Sequence, residues 1–210
     1  MNEAGRLFIA SPAFSGTYCA EYVESLVATT KDCNAHGIKT LYKQVNGVHW
    51  IDIARDILAH IFLLSDCTHM IQIDSDLGWD ADAPRRMMER NLPIIGGIYP
   101  FRADVPSLPF AEGGLPGGFL MVRRDVIEKM SHGLPRYKCS ALQYGELHVA
   151  PLFTRDMRAD GYTGEDFAFC QRAISHGYGL AVDTDIEFAH VGTKAWRGKL
   201  GSGVANNDGR

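Results

Sequence analysis

No stretch of this 210-residue chain reaches 18 apolar residues, no Cys-x-x-Cys pair occurs, and the basic residues form no cluster. The first absence leaves no candidate for a membrane-spanning helix. The N-terminus also lacks the basic stretch and apolar core of a secretory leader, so a soluble, cytoplasmic protein is expected. The five cysteines, Cys19, Cys33, Cys67, Cys139 and Cys170, are odd in number and far apart. That favours reduced thiols over a disulfide framework or a zinc site. A net charge of −4 with scattered Lys and Arg argues against nucleic acid as a partner. Missing too are a G-x-G-x-x-G after the first strand, a P-loop, a G-x-S-x-G and an H-E-x-x-H. An EF-hand loop counted from Asp74 fails, because its glycine position holds Trp79 and its final glutamate position holds Arg85.

What is present is a hydrophobic fraction of 46%, ample for the core of one full-sized domain. "RLFIAS" (Arg6 to Ser11) reads as a strand. The segment from Thr17 to Gly37 reads as a helix with Tyr22, Leu26 and Cys33 on one face. "IKTLYKQV" reads as a second strand, and Trp50 to Asp66 as the clearest helix, with Ile53, Ile57, Phe62 and Leu64 on a broad apolar surface. A buried strand ending at Ile73 follows, then a short helix with Asp82 as its N-cap and Pro84 in its first turn. "LPIIGGIYP" is another apolar strand. This alternation predicts a mostly parallel sheet with helices on both faces. Residues 101–118, rich in Gly and Pro, read as a long loop. Residues 118–130 read as a strand running into a helix, and 131–153 show no period and read as a mobile excursion. A helix over "GEDFAFCQRAISHGYG" and one or two short strands over 180–192 complete the pattern.

The motif that asks for chemistry is "THMIQIDSDLGWD", Thr68 to Asp80. Its apolar strand ends in Asp74 and Asp76. Side chains two apart on a strand point the same way, about 6.6 Å from one another. At the carboxyl edge of an open α/β sheet, where ligands bind, two such carboxylates raise each other's pKa unless a cation lies between them. A hard divalent cation bridging to a diphosphate is one reading; simple turn formers are the other.

In order along the chain, "THMIQIDSDLGW", "IIGGIYPFR", "GGFLMVRRDVIEKM" and "GEDFAFCQRAISHGYGLAVDTDIEFAHVG" resemble a GT-A-fold glycosyltransferase. The likeness is to the small glycosyltransferase-like proteins of large DNA viruses, phages and bacteria, and it spans about Leu7 to Trp196. It implies a single α/β GT-A domain over residues 1–200, followed by a flexible tail over 201–210. It also implies a nucleotide-diphosphate sugar donor, a glycan or other hydroxyl acceptor, and Mn²⁺ or Mg²⁺ as cofactor. By position, Asp74 would lie near the donor ribose and the ion, while Asp76 would ligate the metal. Ser11, Pro12 and Ala13 would line the nucleobase pocket, and Arg55 would hold the nucleotide side of the D-x-D strand. Relatives often carry Asn where this chain has Asp56, which changes the hydrogen bonding expected there.

His190 matches a histidine that completes such metal sites, and imidazole with carboxylates suits Mn²⁺; an ordinary half-buried histidine after a strand is the alternative. Glu165 and Asp166 match the family's acidic pair. With Thr163 as cap, both would sit in a helix's first turn, where the dipole favours ionised carboxylates. Asp166 is then the candidate general base and Glu165 an acceptor ligand, against the plainer reading of acids enriched at a helix start. Trp79, Tyr99 and Phe101 could wall a sugar site or be ordinary packing. Arg102, Lys194 and Arg197 are cations able to neutralise a leaving diphosphate, with 192–199 either a lid or a solvated basic tail. The reading that results is a metal-dependent, inverting hexosyl- or deoxyhexosyltransferase. A sugar nucleotidyltransferase and a non-catalytic nucleotide- or glycan-binding domain are the rivals; the absence of a Gly-rich triphosphate loop counts against the first.

Overall fold

The computed structural model describes residues 5–102, 113–158, 161–192 and 194–199. The chain begins with β1 (Arg6–Ala13), α1 (Ala20–Ala35), β2 (Lys39–Asn46), α2 (Ile51–Leu64) and β3 (His69–Ile73). It continues through β4 (Leu77–Trp79), α3 (Ala83–Arg90), β5 (Ile94–Gly97), β6 (Phe119–Arg123) and α4 (Arg124–Ser131). Then come β7 (Tyr137–Ala141), β8 (Gly145–Val149), β9 (Asp156–Arg158), β10 (Gly161–Thr163), α5 (Glu165–Ser175), β11 (Leu180–Asp183), β12 (Phe188–Val191) and β13 (Ala195–Gly198).

Six strands form the central sheet in the order β11-β5-β6-β3-β1-β2. Only β6 runs against the rest, pairing antiparallel with both β3 and β5, so the expected mostly parallel sheet flanked by helices is what the chain builds. Its strands are apolar on both faces because both are covered. On one face Phe8, Ala10, Met70, Leu120 and Val122 pack with Ile57, Leu58 and Phe62 of α2, Val126 and Ile127 of α4, and Phe169 of α5. On the other, Leu7, Ile9, Ile71, Ile73, Phe119 and Met121 pack with Tyr22 and Cys33 of α1 and Met87 of α3. The period-two alternation within β1, β3 and β6 sorts each strand between the two layers.

Several local expectations are corrected. Asp82 occupies the cap position of α3 but makes no capping bond; its own backbone is helical, and its carboxylate accepts from Arg86 at 2.6 Å. Gly164, not Thr163, stands before α5, while Thr163 belongs to β10. Leu64, the last residue of α2, is 73% exposed rather than part of its buried surface. The expected excursion over 131–153 contains a β-hairpin, β7 with β8. Trp79 is wedged in the core between Tyr22 and Phe119, its Nε1 donating to Thr29 Oγ1 at 2.9 Å, so it forms no open sugar wall. The segment read as a lid or basic tail instead contributes β13, an edge strand of the small sheet β13-β12-β4. The loop expected over 101–118 lies outside the described residues from 103 to 112, as does the tail over 201–210. Among the described residues, no helix is long and apolar enough to cross a membrane.

Candidate functional site

The site is assembled at the carboxyl edge of the sheet. Because β6 runs backwards, its entry lies beside the exit of β3, with Ile73 opposite Phe119. Gly117 and Gly118, just before β6, therefore meet Asp74, just after β3. The Asp74 N–H donates to the Gly118 carbonyl at 3.0 Å, and Leu77 N–H closes a turn onto the Asp74 carbonyl at 3.2 Å. That turn reverses the chain into β4, which pairs with β12 so that His190 lies opposite Leu77.

The two aspartates take different partners. Asp74 faces Arg55, whose Nη2 lies 3.1 Å from Asp74 Oδ1. Arg55 is buried on α2, and it also donates to Gln72 Oε1 at 2.7 Å, to the Gly117 carbonyl at 2.8 Å and to Glu165 Oε1 at 3.4 Å. Burial opposes its charge, but Asp74, Glu165 and Asp166 outweigh that cost and raise its pKa. The guanidinium thus ties α2 to β3, to the residues before β6 and to α5. Gln72 is fully buried beneath it, with its Nε2 unpartnered.

Asp166 stands one residue further along α5. Its Oδ2 accepts from Gly117 N–H at 3.0 Å and its Oδ1 from Phe167 N–H at 2.8 Å. Each oxygen retains a lone pair. The glycines are required by this crowding. A Cβ on Gly117 would stand 3.0 Å from both the Arg55 guanidinium carbon and Asp166 Cβ, and one on Gly118 would stand 2.5 Å from the Tyr99 hydroxyl and 2.7 Å from Asp74 Oδ2. The Tyr99 hydroxyl accepts from Gly118 N–H at 3.2 Å. Burial, then the charge of Asp74, pushes its pKa up, so it stays a neutral phenol.

Asp76 faces the other way. Its Oδ2 pairs with Arg102 and lies 3.7 Å from His190 Nε2, while its Oδ1 is buried without a hydrogen-bond partner. His190 Nδ1 lies 2.7 Å from the Pro100 carbonyl, which can only accept, so Nδ1 carries the proton and Nε2 presents a lone pair. Burial lowers the His190 pKa, and the Arg102 charge adds to that, keeping the ring neutral. Tyr99 lies edge-on to it at 5.2 Å. As placed, Asp74, Asp76 and His190 are not gathered into one cluster: among the described residues, no group of three or more His, Cys, Asp or Glu side chains is arranged to hold a metal ion. Asp76 and His190 alone offer two donors suited to one.

The remaining candidates are dispersed. β1 runs on past Ser11, so Ser11, Pro12 and Ala13 lie buried inside the sheet, with the Ser11 hydroxyl against that of Tyr22. Phe14 is the first exposed residue after the strand, and its ring meets His49 at 4.4 Å. Lys194 is exposed just before β13, and Arg197 pairs with Glu21 at 3.9 Å. Asp56 points away from Arg55's partners. It is buried against the hairpin, accepting from the Tyr137 hydroxyl and Phe153 N–H, each at 2.8 Å. The Phe14–His49 pair carried no signal in the sequence; for Gln72, a glutamine within an apolar strand was the one available hint.

The fold and this site define a mixed α/β protein with the carboxylates of Asp74, Asp76, Glu165 and Asp166 brought to one edge of its sheet. No protein-family model matches the chain, and neither does any curated protein. Among solved structures, it is similar to the crystal structure of a glycosyltransferase involved in the glycosylation of the major capsid of PBCV-1, at 13% sequence identity and a TM-score of 0.39. The match covers 59% of this chain and 62% of that one, less than two thirds of its length. A likeness at that level carries no argument about activity or site residues.

Proposed function

We propose that the chain is a GT-A-type, metal-dependent glycosyltransferase that moves a hexose or deoxyhexose from a nucleotide-diphosphate sugar to an acceptor hydroxyl with inversion. The observation that carries the reading is the pairing of two unlike carboxylate settings at one sheet edge. Asp166 is held by backbone N–H groups with lone pairs to spare, and Asp76 has an Oδ1 without a partner and an Oδ2 that lies 3.7 Å from the His190 Nε2 lone pair.

Asp76 and His190 would hold Mn²⁺ or Mg²⁺, with donor phosphate oxygens completing the shell. Bound there, the ion would supply Lewis-acid stabilisation of the leaving diphosphate. Asp74, paired with Arg55, would face the donor side of the site. Arg102 and Lys194 would neutralise diphosphate charge, and Ser11 to Ala13 would back the nucleobase from within β1. Glu165, tied to Arg55, would orient the acceptor side. Asp166 would take the proton of the acceptor hydroxyl as its oxygen bonds to the anomeric carbon and the bond to the diphosphate breaks.

The test is transfer by wild type and Asp166→Asn. The amide keeps size and hydrogen bonding but takes no proton, so transfer should fall by about 10²–10⁴-fold. Thermal stabilisation by donor with Mn²⁺ should persist, and the wild-type product should carry the inverted anomer by NMR. Retained configuration or near-normal transfer by the variant removes Asp166 from this role. Stabilisation by donor without any acceptor-dependent turnover would favour a binding domain instead.

A further inference from the structure

Asp76 is already occupied by a cation of the chain itself. Arg102 reaches the same Asp76 oxygen that faces His190 Nε2, and it does so from the segment whose Pro100 carbonyl fixes the His190 ring. One short stretch after β5 therefore both orients the imidazole and supplies the positive charge. The pair lies half in solvent, with Arg102 and Asp76 side chains 41% and 33% exposed, whereas Arg55 is buried and shared among fixed partners. Arg102 can be exchanged in a way that Arg55 cannot.

We propose that Arg102 is a built-in occupant of the cation position at Asp76, displaced when a divalent ion enters between Asp76 and His190, and that the released guanidinium then binds the diphosphate. The inference rests on the metal reading above. A guanidinium has no lone pair with which to ligate a metal, and its charge repels one. It must therefore leave Asp76 before the ion can bind, and the ion's own ligand oxygens give it somewhere to go. Binding becomes ordered: metal alone is opposed by Arg102, while metal with diphosphate is assisted by it.

The test measures Mn²⁺ binding to the full chain by loss of the free-ion EPR signal, alone and with inorganic pyrophosphate, for wild type, Arg102→Ala and Asp76→Asn. Arg102→Ala should bind Mn²⁺ alone about two- to five-fold more tightly, the scale of a half-exposed ion pair, and the Mn²⁺–pyrophosphate pair more weakly. Asp76→Asn should lose both. Equal or weaker affinity of Arg102→Ala for Mn²⁺ alone overturns the inference while leaving the metal reading in place. Tighter metal binding without the loss of pyrophosphate affinity overturns the handover. Mn²⁺ binding to neither wild type nor Arg102→Ala, even with pyrophosphate, sinks the inference and the metal reading together. Circular dichroism of each variant separates these outcomes from loss of fold.

Discussion

Asp74 and Asp76 are two residues apart and each is matched by an arginine, yet their surroundings differ. Asp74 belongs to a network centred on the buried Arg55, which also serves Gln72, Gly117 and Glu165. Asp76 meets a half-exposed Arg102 and keeps one oxygen without a partner. A satisfied buried charge cluster is rigid, because breaking any contact strands another charge in a poorly solvated place. An under-satisfied pair at the surface can be rearranged at little cost. The first suits a floor that holds catalytic groups in register. The second suits a place where a ligand arrives.

The strongest way to break that contrast is Arg55→Met. It leaves the part-buried Asp74 and Glu165 without their cation and the buried Gln72 Oε1 without its donor, and should destabilise the fold by about 2–4 kcal/mol, read as a lowered denaturant midpoint. A loss under about 1 kcal/mol would mean that the floor is no more fixed than the Asp76 side.

Asp56, beside Arg55 on the same helix, extends the comparison to a carboxylate held mainly by neutral donors. Burial pushes its pKa up to about 7, against the pull of the Phe153 N–H and Tyr137 bonds. Its folded value thus lies above the unfolded one near 3.9. The folded state then binds the extra proton between roughly pH 4 and 7, and stability falls as pH rises through that window, by up to about 1.4 kcal/mol per unit. Asp56→Asn mimics the protonated acid and should flatten this slope in urea titrations from pH 4.5 to 7.5. An unchanged slope would place the titrating group elsewhere.

Gly118→Ala sharpens the contrast from the backbone side. The added methyl meets the Tyr99 hydroxyl and Asp74 Oδ2, and overpacking of this kind costs about 1–3 kcal/mol. Thermal unfolding would show it, and no shift would mean that Tyr99 yields freely. The smallest effect is expected for Arg102→Ala, under about 1 kcal/mol. A larger loss in denaturant unfolding would make Arg102 part of the floor.

Legibility in the sequence followed the same division. The strands of the central sheet were readable because Phe8, Ala10, Leu7 and Ile9 are apolar in unbroken series, and α2 because Ala54, Ile57, Leu58 and Phe62 recur at helical spacing. The hairpin of β7 and β8 was not, since Lys138, Ser140, Glu146 and His148 are exposed and only its ends are buried. A ribbon with one wet face offers a weak pattern against a polar background. β4, three residues long, was too short to show any period.

By itself the sequence determined that two aspartates follow a buried strand and that the sheet is covered on both sides. Both are consequences of local order along the chain: the period of apolar residues, and the place where it stops. Only the tertiary structure decided that Asp74 turns to Arg55 while Asp76 turns to Arg102 and His190. Those partners come from α2, the segment after β5, and β12, all brought to one edge by the sheet's strand order. Which carboxylate meets a buried arginine, and which meets an exposed one and keeps an oxygen without a partner, depends on distances between segments far apart in the chain, and no spacing within the motif encodes them.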